Sequence, residues 1–282
     1  MLLSGKIAVV TGGSGGIGKV VARALAAEGC HLMVVARSAS ELEKARQEIA
    51  DSSAQVDIFP ANVSQETQVR EMVDHTLRRF GAIDILVNCG AIYGPIGPAH
   101  ELESDHWLET IHINLFGTYL CIRAVLPHMI ARKKGKIINF SGGGSVSPFP
   151  RFSAYSASKA AVVRLTETLA HEVREHNIDI NAIAPGAVNT RMLDQVLAAG
   201  EAAGKEFLES ARRQKEEGGT SPEKAAELAV FLASPLSDGL TGRLISAVWD
   251  NWRDIPRHLK EMEISDVYTM RRILPQDRGF QW

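Results

Sequence analysis

Short apolar runs, each followed by a segment with helical periodicity, recur along most of this chain and limit what it can fold into. "KIAVVTGG" leads into "IGKVVARALAAEG", "HLMVVAR" into "ASELEKARQEIADS", "VDIFPANV" into "ETQVREMVDHTLRRFG", and "IDILVNCG" into the long stretch "LESDHWLETIHINLFGTYLCIRAVLPHMIARKKG". "KIINFSG", a helical segment from "SAYSASK" to "HEVREHN", and "IDINAIAPG" continue the series. Several of the runs are nearly continuously apolar rather than alternating. Strands of that kind are buried on both faces, which is the environment of parallel strands joined by crossover helices. The pattern predicts an α/β fold with one doubly wound parallel sheet.

Composition removes several function classes. A net charge of −2 over 282 residues gives no electrostatic reason to expect a nucleic acid or an anionic membrane as partner. No apolar run approaches the length expected of a bilayer span. Cys30, Cys89 and Cys121 each fall inside an apolar run and read as buried free thiols, which suits a reduced, cytoplasmic protein. The histidines show no paired metal-ligand spacing, so no metal is expected. From Val188 to about Pro222 the sequence turns polar and glycine-interrupted, predicting a helical lid over about 191–219. "EKAAELAVFLAS" and "GLTGRLISAVW" then restore a helix and a strand. The expected division is a domain over 1–250 and a tail over 251–282.

Two segments carry chemistry. "TGGSGGIG" follows the first strand and opens the first helix, where glycines let backbone N–H groups approach a pyrophosphate at the positive end of the helix. Tyr155 and Lys159, four residues apart on a predicted helix, share one face. A nearby ammonium favours a phenolate, which would make the tyrosine usable for proton transfer.

Thr11, Gly12, Gly16 and Gly18 in this spacing resemble the short-chain dehydrogenase/reductase superfamily, in its compact single-domain, Rossmann-like branch. "LVNCGA", "NLFG", "YSASK", "PGAVNT" and "FLAS…LTGRLISA" continue the resemblance from about residue 5 to 248, most like the β-ketoacyl-carrier-protein reductases. It implies hydride transfer between a nicotinamide and a small carbonyl or secondary alcohol substrate, in a homodimer or homotetramer. It places Gly12, Ser14, Gly16, Ile17 and Gly18 on the cofactor, Asn62 and Val63 beside the adenine, and Asn88 and Gly90 after the fourth strand. Pro185, Gly186, Val188 and Thr190 follow at the nicotinamide end. Tyr155 would exchange a proton with the substrate oxygen, Lys159 would lower the tyrosine pKa and hold the nicotinamide ribose, and Asn114, through its backbone or side chain, would position a water.

Three departures matter. The second strand ends in Ala36, Arg37 and Ser38, with no carboxylate for ribose hydroxyls, so NADP(H) is preferred over NAD(H). Gly90 and Ala91 are exchanged relative to the family motif. The family's serine falls at Gly142, so Ser141, Ser145 or a glycine N–H is left to meet the substrate oxygen. Gly142 and the unusual tail keep a second reading open, a catalytically weak cofactor-binding sensor or assembly protein. Trp249, Trp252 and Trp282 predict a tail packed on a neighbouring subunit or near the site mouth.

Overall fold

A computed structural model describes residues 1–49 and 54–282; the end of the predicted helix "ASELEKARQEIADS" lies outside the described residues. Among the described residues seven strands form one parallel sheet: β1 (Ile7–Thr11), β2 (His31–Ala36), β3 (Val56–Pro60), β4 (Ile85–Asn88), β5 (Gly135–Phe140), β6 (Ile178–Ala184) and β7 (Leu244–Ser246). Their order is β3-β2-β1-β4-β5-β6-β7. The helices are α1 (Gly16–Ala27), α2 (Ala39–Ile49), α3 (Glu66–Phe80), α4 (Ser104–Ile111), α5 (Gly117–Arg132), α6 (Ser153–Glu172), α7 (Arg191–Ala199), α8 (Lys205–Glu217), α9 (Pro222–Ala233) and α10 (Leu259–Glu263).

The continuous apolar strands do what their composition predicts. In β1, Ala8 and Val10 join a core with α1, α2 and α9, while Val9 between them joins the opposite core with α3 and α5. Helix ends follow their sequence signals. Gly81 closes α3 in the left-handed region, its amide donating to the Leu77 carbonyl at 2.8 Å. Ser221 caps α9 by accepting from the Glu223 amide, and Pro222 takes the first helical position.

The segment after β4 departs from expectation. α4 and α5 are joined without a break by a π-helical turn at His112–Phe116. The resulting 29-residue helix reaches a mean hydropathy of 1.3 over an 18-residue window, long and apolar enough to cross a bilayer on those two measures. Half of that window is buried inside the fold, where Leu120, Cys121, Ile122 and Val125 pack on the sheet.

The tail also differs. Trp252, Ile255 and Met262 join the core beside α9 of their own chain, with the Trp252 ring centroid 5.4 Å from that of Phe231. Farther on, the Tyr268 carbonyl accepts from the Leu244 amide at 2.8 Å, so the tail hydrogen-bonds to the outer edge of β7. Arg243, buried at this seam, donates to the Val267 carbonyl at 2.7 Å and to the Met262 carbonyl. Trp249, just before the tail, and Trp282 at its end are exposed. A tail built into the core makes a clear prediction. Trp252→Ala should lower unfolding stability by about 3 kcal/mol in denaturant titration, whereas Trp282→Ala should change it by less than about 0.5 kcal/mol.

Candidate active site

The sheet order reverses between β1 and β4, and the loops leaving their carboxyl ends diverge there to leave a cleft. Gly12 turns the chain at φ +67°, and a Cβ there would lie 2.8 Å from the Gly90 backbone. A Cβ at Gly18 would lie 2.4 Å from the Gly12 carbonyl oxygen. Only glycine allows this backbone contact, which sets the start of α1 against the cleft with no acidic residue in its first turn. Thr11 ties the two strands together, its hydroxyl accepting from the Gly90 amide at 3.4 Å.

The cleft wall includes Gly12, Ser14, Gly16, Ile17 and Gly18 of the loop, Arg37 and Ser38 after β2, Asn62 and Val63 after β3, Gly90 after β4, and Thr190 before α7. A cradle that excludes Cβ atoms beside a helix N-terminus fits the pyrophosphate of a dinucleotide, and the exposed Arg37 stands at the far rim. Asn88, Pro185, Gly186 and Val188 are not part of that wall. The Asn88 side chain instead donates to Asn139 Oδ1 at 2.9 Å, and Asn139 donates to the Thr166 hydroxyl at 2.9 Å. This buried ladder ties β4, β5 and α6 into one register. Gly186 is a packing position, because a Cβ there would lie 2.7 Å from Val248.

Glu41, Arg191 and Gln195 line the cleft without having been expected to. Arg191 and Gln195 follow "PGAVNT" on α7, a placement the motif itself could have suggested. Glu41 had no such signal. Cys89 also lines the cleft, whereas Cys30 and Cys121 are buried away from it.

α6 brings Tyr155 and Lys159 together behind this wall, and both are nearly fully buried. The Lys159 ammonium donates to the Phe140 carbonyl at the end of β5, at 2.7 Å, and lies 5.7 Å from the centre of the Tyr155 ring. Burial pushes the Lys159 pKa down to about 8. Burial also pushes the Tyr155 phenol well above its usual range, and Tyr93, packed edge-on with ring centroids 4.7 Å apart, adds to the effect. The expectation that Lys159 lowers the tyrosine pKa is therefore not met in the protein alone. Desolvation of the phenolate outweighs an ammonium already engaged by a carbonyl.

Both candidate serines spend their hydroxyls on backbone carbonyls. Ser141 does not face Tyr155; its hydroxyl donates to the Lys159 carbonyl at 3.4 Å, because the strand-end residue points toward the α6 backbone. Ser145 donates to the Gly142 carbonyl at 2.9 Å. The Tyr155 hydroxyl sits against Gly142 so closely that a Cβ there would lie 2.4 Å from it. Asn114 uses its whole amide as a clamp: Oδ1 accepts from the Ile92 amide, while Nδ2 donates to the Ile92 carbonyl and the Ser158 hydroxyl, all within 2.9–3.0 Å. These bonds tie the loop after β4 to α6, and the Asn114 carbonyl accepts from Thr118 at 2.8 Å. The expected positioning of a water would fall to the Asn114 oxygens, since both Nδ2 protons are spent while Oδ1 and the backbone carbonyl each accept one of these bonds.

Comparison with known proteins agrees with the architecture. The short chain dehydrogenase family matches residues 6–200, and the chain belongs to that family. The 3-oxoacyl-acyl-carrier-protein reductase FabG of Thermotoga maritima is 32% identical over 245 residues, 87% of this chain and 97% of that protein. A crystal structure of NAD+-bound xylitol dehydrogenase superposes with a TM-score of 0.82 at 28% identity, covering 87% of this chain and 98% of the other. Actinorhodin polyketide ketoreductase, crystallised with NADPH, gives a TM-score of 0.79 at 28% identity, covering 86% of this chain and 95% of the other. The chain is an oxidoreductase of CH–OH and C=O groups that uses a nicotinamide cofactor.

Two outcomes follow from this geometry. Gly142→Ser should not improve the site, because the new Cβ displaces the packed Tyr155 ring; turnover should fall, with a stability loss of about 1–3 kcal/mol in denaturant titration. Lys159 has a folded pKa of about 8, below its ordinary value of 10.5, so the unfolded chain binds more protons between those values. Its contribution to stability should therefore rise from pH 8 to about 10.5, and that component of the slope should vanish in Lys159→Met.

Proposed function

We propose that the chain is an NADP(H)-dependent carbonyl reductase or alcohol dehydrogenase in which Tyr155 moves the proton. The observation that carries this reading is the burial of Tyr155 and Lys159 side by side on α6, just behind the glycine-lined cleft. The bound nicotinamide supplies or accepts the hydride. In the reducing direction the raised phenol is neutral at physiological pH and gives its proton to the carbonyl oxygen as charge builds there. Lys159, held by the Phe140 carbonyl, keeps a positive charge close to the resulting phenolate and stabilises it. Gly142 leaves room for the tyrosine hydroxyl and puts its own backbone, rather than a side chain, beside the reacting oxygen. Asn114 acts as a positioning residue, holding the loop after β4 against α6.

The preference for NADP(H) rests on Ala36, Arg37 and Ser38 at the cleft rim, where a guanidinium and a hydroxyl suit a 2′-phosphate. The segment 191–219 serves as the lid. Phe207 of α8 stands edge-on to Phe149 and Phe152 at 4.9 and 5.1 Å, closing an apolar layer next to Tyr155 that suits a hydrophobic substrate body. Exposed Leu108, Phe116 and Tyr119 on α4, the π-helical turn and α5 favour a homo-oligomer built through that helix, and three free thiols suit a reducing cytoplasm.

Tyr155→Phe tests the mechanism. NADPH consumption should be followed against ketones, ketoacyl thioesters and keto-sugars, with NADH in parallel. Turnover should fall at least about hundredfold while the NADPH dissociation constant stays unchanged. Turnover that survives the substitution overturns the assignment of Tyr155. A wild-type protein that binds NADPH but reduces nothing in the panel turns the reading toward a cofactor-binding sensor.

A further inference from the structure

Arg191 and Glu41 meet across the mouth of the cleft, although 150 residues separate them in sequence. Arg191 is the first residue of α7, in the proposed lid, and Glu41 lies in the first turn of α2. The guanidinium Nη1 donates to both carboxylate oxygens, at 3.0 and 3.3 Å. A Cβ built at Gly15 would lie 3.3 Å from Arg191 Nη2, so the same guanidinium stands over the phosphate-type loop. Glu41 belongs to the rim that carries Arg37 and Ser38, its amide donating to the Ser38 hydroxyl at 3.3 Å.

The side chains of Arg191 and Glu41 are 72% and 43% exposed. An ion pair that open to solvent contributes little to stability, and another anion can replace its carboxylate. A dinucleotide at the start of α1 brings its pyrophosphate to the loop over which this guanidinium stands, and arginine binds phosphate oxygens through two parallel hydrogen bonds. Glu41 adds a negative charge to the rim where Arg37 would meet a 2′-phosphate, and its pairing with Arg191 offsets that charge.

We propose that Arg191 is a cofactor-binding residue shared between Glu41 and the dinucleotide phosphates, and that Glu41 sets the balance between NADP(H) and NAD(H). This rests on the nicotinamide-dependent reading above. With Arg191 present, the carboxylate is neutralised and NADP(H) is admitted. Without it, an unpaired carboxylate faces the 2′-phosphate while the pyrophosphate loses a bidentate partner. The consequence is asymmetric: removing Arg191 harms NADP(H) more than NAD(H), and also removing the Glu41 charge restores part of the loss.

The test is titration of NADPH and NADH, followed by cofactor fluorescence, into wild type, Arg191→Ala, Arg191→Lys, Glu41→Gln and the double variant Arg191→Ala/Glu41→Gln. Thermal melting alongside confirms that each variant is folded. Arg191→Ala should weaken NADPH binding about tenfold or more and NADH binding less. Arg191→Lys should fall between wild type and Arg191→Ala, since it keeps the charge but not the fork. Glu41→Gln should tighten NADPH, and should recover part of the NADPH affinity when added to Arg191→Ala. Unchanged dissociation constants in Arg191→Ala overturn the inference. So does weaker NADH binding in Glu41→Gln, which would mean that the carboxylate holds the ribose. A wild-type protein that binds neither cofactor overturns the functional reading itself, so the two failures are distinguishable.

Discussion

The pairing of β1 with β4 is the constraint on which the rest of this molecule depends. β1 has β2 on one side and β4 on the other, so the chain must leave the two neighbouring strands β1 and β4 in opposite directions. The opening this creates is kept narrow by backbone contact between Gly12 and Gly90 and between Gly18 and Gly12. On its other side β4 pairs with β5, which puts Asn88 opposite Asn139, where their side chains bond and reach onward to Thr166 on α6. The polar ladder thus fixes the helix that carries Tyr155 and Lys159 relative to the strand that bounds the cofactor cleft.

Around that helix, desolvation decides the chemistry. Lys159 and Tyr155 share a buried turn, and each is pushed toward its neutral form by loss of water. The lysine keeps its charge at neutral pH because its pKa is lowered only to about 8 and because the Phe140 carbonyl accepts its proton-bearing end. The neutral phenol and the cationic ammonium are the protonation states that the proposed proton transfer to a carbonyl oxygen requires. Buried thiols provide a contrast: Cys121 is pushed up to about 12 by the same cause, with no partner to make use of it.

The doubly wound sheet, the glycine loop and the Tyr155–Lys159 face were legible because each depends on local periodicity or spacing. Gly81, Ser221 and Pro222 also end their helices as their residue types dictate. What escaped were directions and long-range meetings. Whether Ser141 faces the tyrosine or the α6 backbone depends on the twist at the end of β5, which a one-residue offset in sequence does not reveal. Asn88 carried a motif position but spends its amide on a neighbouring strand. The Glu41–Arg191 contact joins two helices far apart in the chain, and no periodicity marks it. Trp252, expected in a tail packed on a neighbouring subunit or near the site mouth, meets Phe231 of its own chain, a partner that a tail with weak periodicity does not reveal.

That tail has a consequence for how copies of the chain can meet. A parallel sheet ordinarily ends in strands whose outward amides and carbonyls invite another strand. Here the outer side of β7 is already engaged, the Leu244 amide bonding to Tyr268 of the same chain. At the opposite margin β3 closes on Pro60, which has no amide to offer. Growth by adding strands is thereby discouraged at both margins, so the homo-oligomer proposed above would have to form through helical surfaces, where side-chain shape and charge rather than backbone hydrogen bonding choose the partner.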